Sequence, residues 1–334
     1  MDLIKVPMLF PGQASQFVGM AGDLAAAGGK AAAWLNSVNE AAGCDLMALM
    51  QEGPIETLTE TRNAQPAILA HSVAVAMELK AQGIEPSAVA GHSLGEFSAA
   101  AAVGALDPSA ALTLVRTRGD LMFSAGEQRP GTMAAIMGLD ADQVREVCAA
   151  VSRDHGSVVL ANHNSAAQVV ISGEIEAVGL AGERLKEAGA RRVTPLNVSG
   201  AFHSPLLADA SATFAAELEA TEFGDAEAPL VANVSARPVT TGDQLKAGLK
   251  RQLTSPVLWH DTMHWLVEGQ AEAPKVMLEV GPGKVLTGLA RRAFPDVTFL
   301  TVGTAEDLAG IRDRVQEILG DGNETQTLEA RDGS

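Results

Sequence analysis

Ser93 stands in Gly91-His92-Ser93-Leu94-Gly95, and the spacing is that of a strand bent sharply into a helix with the serine lifted from the sheet edge. An apolar run, Ala88 to Ala90, leads in, and small residues from Phe97 to Ala105 read as the helix that follows. The flanking glycines suit a turn too crowded for Cβ atoms. The helix start then turns free N–H groups and a partial positive charge toward the serine oxygen. Ser93 is therefore a candidate nucleophile. A Gly/Ser turn without chemistry would show the same five letters, so the rest of the chain must separate the two readings.

A serine hydroxyl needs a base. Of the seven histidines, His71 lies in an apolar helix, and His155 and His163 lie in turns of a separate α/β segment. His260 and His264 share a helix face at a metal-ligand spacing but lack the glutamate of a His-Glu-x-x-His pair. His92 adjoins Ser93 and points elsewhere, as a supporting residue. His203 lies in the Gly-containing loop Ser199–Pro205, C-terminal to the serine as in hydrolases with this elbow, and is the expected base. No Asp or Glu suggests itself as a third member, which leaves a carbonyl to orient the imidazole. Arg116 and Arg118, two apart on the next helix, face different sides; one is expected in solvent and the other in the cleft.

The elements that must position these groups follow from the patterning. Val6–Phe10 reads as a strand ending in the loop Pro11–Gln16. Gln65-Pro66 reads as the opening of a helix over 67–82, and another helix is expected over 108–123, broken by Ser124, Gly126, Pro130 and Gly131. From Thr132 to Asn197 the order strand-helix-strand-strand-helix-strand gives a ferredoxin-like insertion. Strands then alternate with helices to Leu319, which predicts an α/β class with a mostly parallel main sheet. The expected division is 1–127 with 198–319 as a large discontinuous α/β catalytic domain, 128–197 as the insertion, and 320–334 as a disordered acidic tail.

The 334 residues are 47% hydrophobic with a net charge of −17, enough apolar material for a full core and the wrong sign for nucleic acid or an anionic membrane. Cys44 and Cys148 have neither metal nor redox spacing and read as reduced thiols. With no leader pattern and no spanning segment, a soluble cytoplasmic protein, expected as a monomer, follows.

Seven stretches together resemble the malonyl-CoA:acyl carrier protein transacylase family over roughly residues 6 to 310. They are Phe10–Gln16, Gly91–Glu96, Arg116–Gly119, Gly200–Pro205, Asn233–Ala236, Gln252–Pro256 and Gly281–Leu286. The resemblance implies an α/β-hydrolase-like large domain carrying a ferredoxin-like insertion. It implies Ser93 as acylated nucleophile and His203 as its base. It implies Gln13 and Leu94 as the backbone donors of an oxyanion hole, and Arg118 as the grip on the malonyl carboxylate. It places Gln252 at the site with a carbonyl on the histidine; with Phe202, beside the base, and His92 these are the expected substrate-binding residues. The substrates implied are malonyl-CoA and the phosphopantetheine thiol of acyl carrier protein, in ping-pong order, serving fatty acid synthesis and needing no cofactor or metal. Arg191, Arg192 and Lys284 are the expected basic patch for the acidic carrier protein. A polyketide-serving acyltransferase and an acyl hydrolase with the same dyad are the alternatives. The chain departs from the family at Ala14, where glycine is usual.

Overall fold

The computed structural model describes residues 3–329, with side chains as far as residue 320. Among the described residues ten strands form two sheets. They are β1 (Ile4–Phe10), β2 (Ile84–Gly91), β3 (Gly131–Met137), β4 (Val158–Ser165), β5 (Gln168–Glu174), β6 (Arg192–Pro195), β7 (Leu230–Ala232), β8 (Arg237–Val239), β9 (Val276–Val280) and β10 (Thr298–Val302).

The larger sheet runs β10-β9-β1-β2-β7-β8, parallel except for the antiparallel edge pair β7/β8. Its central strands are apolar at consecutive positions because both faces are covered. Met8 and Phe10 pack into one core with the helices Thr61–Ala81 and Pro108–Gln128, while Leu9 packs into another with Trp259 and Met277. Parallel strands aim their carboxyl ends at one edge, where such sheets hold ligands. Here that edge carries Pro11–Gln16 after β1, the serine turn after β2, Asn233 after β7 and Gly281–Lys284 after β9.

The smaller sheet, β4-β5-β3-β6, is antiparallel throughout. The helices Ala141–Asp154 and Ile175–Glu187 cover one face, on Ala134, Ile136 and Ile171. Met133, Ala135 and Val170, one step out of phase, point the other way and join the core of the larger body. A parallel bridge from Asn162 to Val257 ties β4 to that body.

Three boundaries differ from the sequence expectations. The helix expected to open at Pro66 begins at Thr61, with Pro66 inside it. A proline there leaves the carbonyl four residues back without its helical donor. That carbonyl, of Arg62, instead accepts from Arg116 Nη1 at 3.3 Å. The helix expected to break at Ser124 continues to Gln128. Gly126 is a contact and not a stop: a Cβ on it would lie 2.0 Å from the Ser199 carbonyl oxygen of the returning chain. The last helix, Ile311–Glu329, runs past Leu319 into the segment read as a tail, of which 330–334 lie outside the described residues. No helix among the described residues is long and apolar enough to cross a membrane.

Candidate active site

A cleft of about 610 Å³ opens between the carboxyl edge of the larger sheet and the uncovered face of the smaller one. Gln13, His92, Ser93, Leu94, Arg118, Phe202 and His203 line it, with Asn162 and Asn164 from β4.

Ser93 sits at the bend with φ 53°, a left-handed conformation that a non-glycine residue holds only where the surroundings enforce it. The enforcement is steric and polar. A Cβ on Gly91 would fall 1.9 Å from the Gly95 carbonyl carbon, and one on Gly95 would fall 2.2 Å from the Phe10 carbonyl oxygen. Both glycines are thus required by close backbone approach. Asn233 completes the turn: its Oδ1 accepts from the Ser93 N–H at 2.7 Å and its Nδ2 donates to the Gly91 carbonyl at 2.7 Å.

His203 meets the serine, with Nε2 2.7 Å from Ser93 Oγ. Its Nδ1 lies 2.9 Å from the Gln252 backbone carbonyl. A carbonyl only accepts, so Nδ1 carries the proton and Nε2 is left as acceptor for the serine O–H. Burial, and then the Arg118 charge, push the His203 pKa down to about 3. The imidazole is therefore neutral near pH 7, with the Nε2 lone pair directed at the serine hydroxyl. A main-chain carbonyl stands where a carboxylate would complete a triad.

Arg118 is 1% exposed. Nη2 donates to Ser93 Oγ at 3.0 Å and to Gln252 Oε1 at 2.9 Å, and Nη1 donates to Gln65 Oε1. All its partners are neutral, and burial lowers its pKa to about 9, which leaves it charged at neutral pH. Arg116 faces away, on Asp120 and the Arg62 carbonyl. The pair divides as the two-residue spacing predicts, with Arg118 in the cleft.

His92 Nε2 donates to Asn164 Oδ1 at 3.0 Å and its ring packs on Trp259. Burial holds its pKa below the usual histidine value. Phe202 is 5% exposed beside His203. Gln252 stands one layer behind the cleft wall: its Nε2 donates to the Ser93 carbonyl at 2.8 Å and to Glu96 Oε2 at 2.6 Å. Gln13 lies on the loop after β1, tied by its Nε2 to Thr61 Oγ1 at 3.0 Å. The next residue, Ala14, has φ 81° and is steadied by Gln16 Oε1 on its N–H at 2.9 Å. His260 and His264 lie outside the cleft, with their rings edge to face, and His264 lies on Glu268.

Gln65, Glu96 and Asn233 gained no role from sequence reasoning. Glu96 and Asn233 stand within the stretches that carry the family resemblance, and Gln65 reads from the sequence as a helix opener. A signal existed for Gln65, a polar residue leading into the apolar run Pro66–Ala70.

The model of the acyl transferase domain family matches residues 8–317. A malonyl CoA-acyl carrier protein transacylase of Bacillus subtilis (strain 168) is 41% identical over 304 residues, which are 91% of this chain and 95% of that protein. The crystal structure of an acyl carrier protein S-malonyltransferase from Vibrio cholerae superposes with a TM-score of 0.86 at 39% identity, over 92% of this chain and 99% of that one. A malonyl-transacylase solved in complex with a type II polyketide acyl-carrier protein gives a TM-score of 0.86 at 39% identity, over 92% and 98% of the two chains. With a nucleophile elbow, a neutral histidine on its oxygen and a match spanning nearly the whole fold, the chain belongs to the acyl transferase family.

Proposed function

We propose that this protein moves a malonyl group from malonyl-CoA to the phosphopantetheine thiol of an acyl carrier protein, through an ester on Ser93. The observation that carries this reading is Arg118, a buried cation resting on the nucleophile with only neutral partners. A guanidinium so placed suits an acyl group that ends in a carboxylate. The named relatives act on malonyl and carrier-protein substrates, and one of them is bound to a carrier protein.

His203 Nε2 takes the Ser93 proton as Oγ attacks the thioester carbonyl. The oxyanion is received by the backbone N–H groups of Gln13 and Leu94. Asn233 already occupies the Ser93 N–H, while Leu94 opens the helix Gly95–Ala102, where first-turn N–H groups lack intrahelical partners. Each such donor contributes about 10²–10³ in rate in comparable sites. The CoA thiolate leaves with the proton from His203, and the carrier-protein thiol reverses the steps. Phe202 and His92 wall the acyl pocket. No step calls for a metal or organic cofactor. The carrier protein serves fatty acid synthesis in this reading.

The same reading takes residues 128–197 as a ferredoxin-like subdomain inserted into an α/β-hydrolase-like body, 1–127 with 198–319. The order β4-β5-β3-β6 with two helices on one face supports it. Intact-mass measurement after mixing with malonyl-CoA tests the function: one malonyl adduct on Ser93 is expected, discharged by holo carrier protein and absent from Ser93→Ala. An adduct on Ser93→Ala removes this serine from the reaction, and an adduct lost to water alone makes the enzyme a hydrolase.

A further inference from the structure

Glu96 is 1% exposed on the first turn of the helix that follows Ser93. Its two oxygens accept from two donors, Oε2 from Gln252 Nε2 at 2.6 Å and Oε1 from the Asn233 backbone N–H at 3.3 Å. The Gln252 amide therefore has a cation at one end and a carboxylate at the other. Its oxygen faces Arg118 at 2.9 Å, and its nitrogen faces Glu96. Arginine can only donate and an ionised carboxylate can only accept. The pair thus leaves the amide one orientation out of two. Among the described residues, no carboxylate touches Arg118, and Glu96 is the anion that acts on it across this amide.

We propose that Glu96 is a positioning residue for acyl-group selection: by fixing the Gln252 amide it holds Arg118 where a carboxylate-bearing acyl group is preferred over a neutral one. This rests on the function proposed above. Removing the carboxylate charge leaves the Ser93 carbonyl, at 2.8 Å, as the remaining acceptor of Gln252 Nε2 and takes away the anion that acts on Arg118, so the amide and the guanidinium resting on it are held less firmly. The hold on the base is spared, because Gln252 orients His203 through its main chain, at the end of the helix Gly242–Gln252. Loss of Glu96 thus weakens malonyl transfer far more than acetyl transfer.

The groups facing Glu96 are Gln252, the Asn233 amide and Arg118, each from a different element. Burial raises its pKa to about 7 against these three stabilising partners, whereas His203 is held down to about 3. A change in malonyl selectivity near neutral pH therefore cannot come from the base.

The test is kcat/KM for acylation by malonyl-CoA and by acetyl-CoA, for wild type and Glu96→Gln, between about pH 6 and about pH 8. In wild type the malonyl:acetyl ratio is expected to fall as pH drops through about 7, following Glu96. In Glu96→Gln the ratio at the upper pH is expected to be lower by about 10- to 100-fold and to lose that pH dependence. A variant with the wild-type ratio and profile overturns the assignment. Should Glu96→Gln not fold, Glu96→Asp, whose shorter arm withdraws the carboxylate from Gln252 Nε2, is expected to lower the ratio as well, and an Asp variant with the wild-type ratio overturns the assignment. A wild type that malonyl-CoA does not acylate at all refutes the proposed function itself and removes the basis for Glu96 with it.

Discussion

Arg118 Nη2 and His203 Nε2 both converge on Ser93 Oγ, at 3.0 and 2.7 Å. The hydroxyl donates to the imidazole and accepts from the guanidinium, so one oxygen joins the group that activates it to the group that selects its acyl partner. Arg118→Ala is therefore expected to lower the preference for malonyl over acetyl by about 10²–10⁴, the worth of two charge-assisted bonds at about 1.5–3 kcal/mol each. Arg118→Lys recovers only part, because an ammonium cannot match two oxygens with a planar fork. The weaker preference for malonyl over methylmalonyl, set by the Phe202 wall, should survive both changes. The check is kcat/KM for the three CoA thioesters, and an Arg118→Ala enzyme with the wild-type malonyl:acetyl ratio would place the carboxylate on another residue.

Arg116 should behave in the opposite way. It satisfies the Arg62 carbonyl left open by Pro66 and pairs with Asp120. Arg116→Met is expected to reduce stability by about 1–2 kcal/mol, the usual worth of such bonds, with the malonyl:acetyl ratio unchanged. Urea unfolding beside the same kinetics separates the two arginines.

Ala14 carries φ 81° in the loop that presents Gln13. The left-handed conformation costs an alanine about 1–2 kcal/mol, while glycine returns about 0.4–1 kcal/mol to the unfolded chain. Ala14→Gly should thus gain about 0.5 kcal/mol on balance. Ala14→Val, β-branched in a region closed to such residues, should lose about 2 kcal/mol and depress kcat with it. Thermal unfolding of both variants measures the difference in sign.

His71 gives stability a pH dependence away from the cleft. Its Nε2 lies 2.6 Å from the Gly303 carbonyl, and burial lowers its pKa from 6.5 to about 4. Between these values the unfolded chain binds a proton that the folded one refuses. The contribution is therefore complete above 6.5 and is lost as pH falls toward about 4, amounting to at most about 3 kcal/mol. Urea unfolding at the two ends of this window should show the loss, and His71→Gln should reduce it. An equal loss in the variant would assign it to other groups.

Arg191, Arg192 and Lys284 are exposed on a chain whose net charge is −17. Reversing the three charges is expected to raise KM for an acidic carrier protein while leaving acylation by malonyl-CoA unaltered. The effect should shrink with added salt, as contacts between exposed charges do. An unchanged KM would move the docking surface elsewhere.

The serine turn was legible because its constraint is local. A Cβ on Gly91 would meet Gly95, four residues on, and the sequence writes that directly. The period-two strands and the helices of the smaller sheet were legible for the same reason. What escaped depends on contacts between distant segments. Pro66 signals a helix start in isolation, and only Arg116, from another helix, allows it an interior place. The same misleading boundary conceals Gln65, one residue earlier. Gly126 looks like a helix breaker until Ser199 is laid against it. Glu96 has no visible role beside Ser93, since its partners Asn233 and Gln252 lie 137 and 156 residues away.

The same separations set an order of events during synthesis. Ser93 gains its base across 110 residues, its Asn233 brace across 140, and its Gln252 contact across 159. A chain still on the ribosome and ending before Gln252 can form the elbow but lacks the carbonyl that fixes the imidazole tautomer and the amide that steadies Arg118. Non-local closures of this kind come late in folding. The nucleophile is therefore translated early and armed last, so an unfinished chain has no means of charging itself with an acyl group.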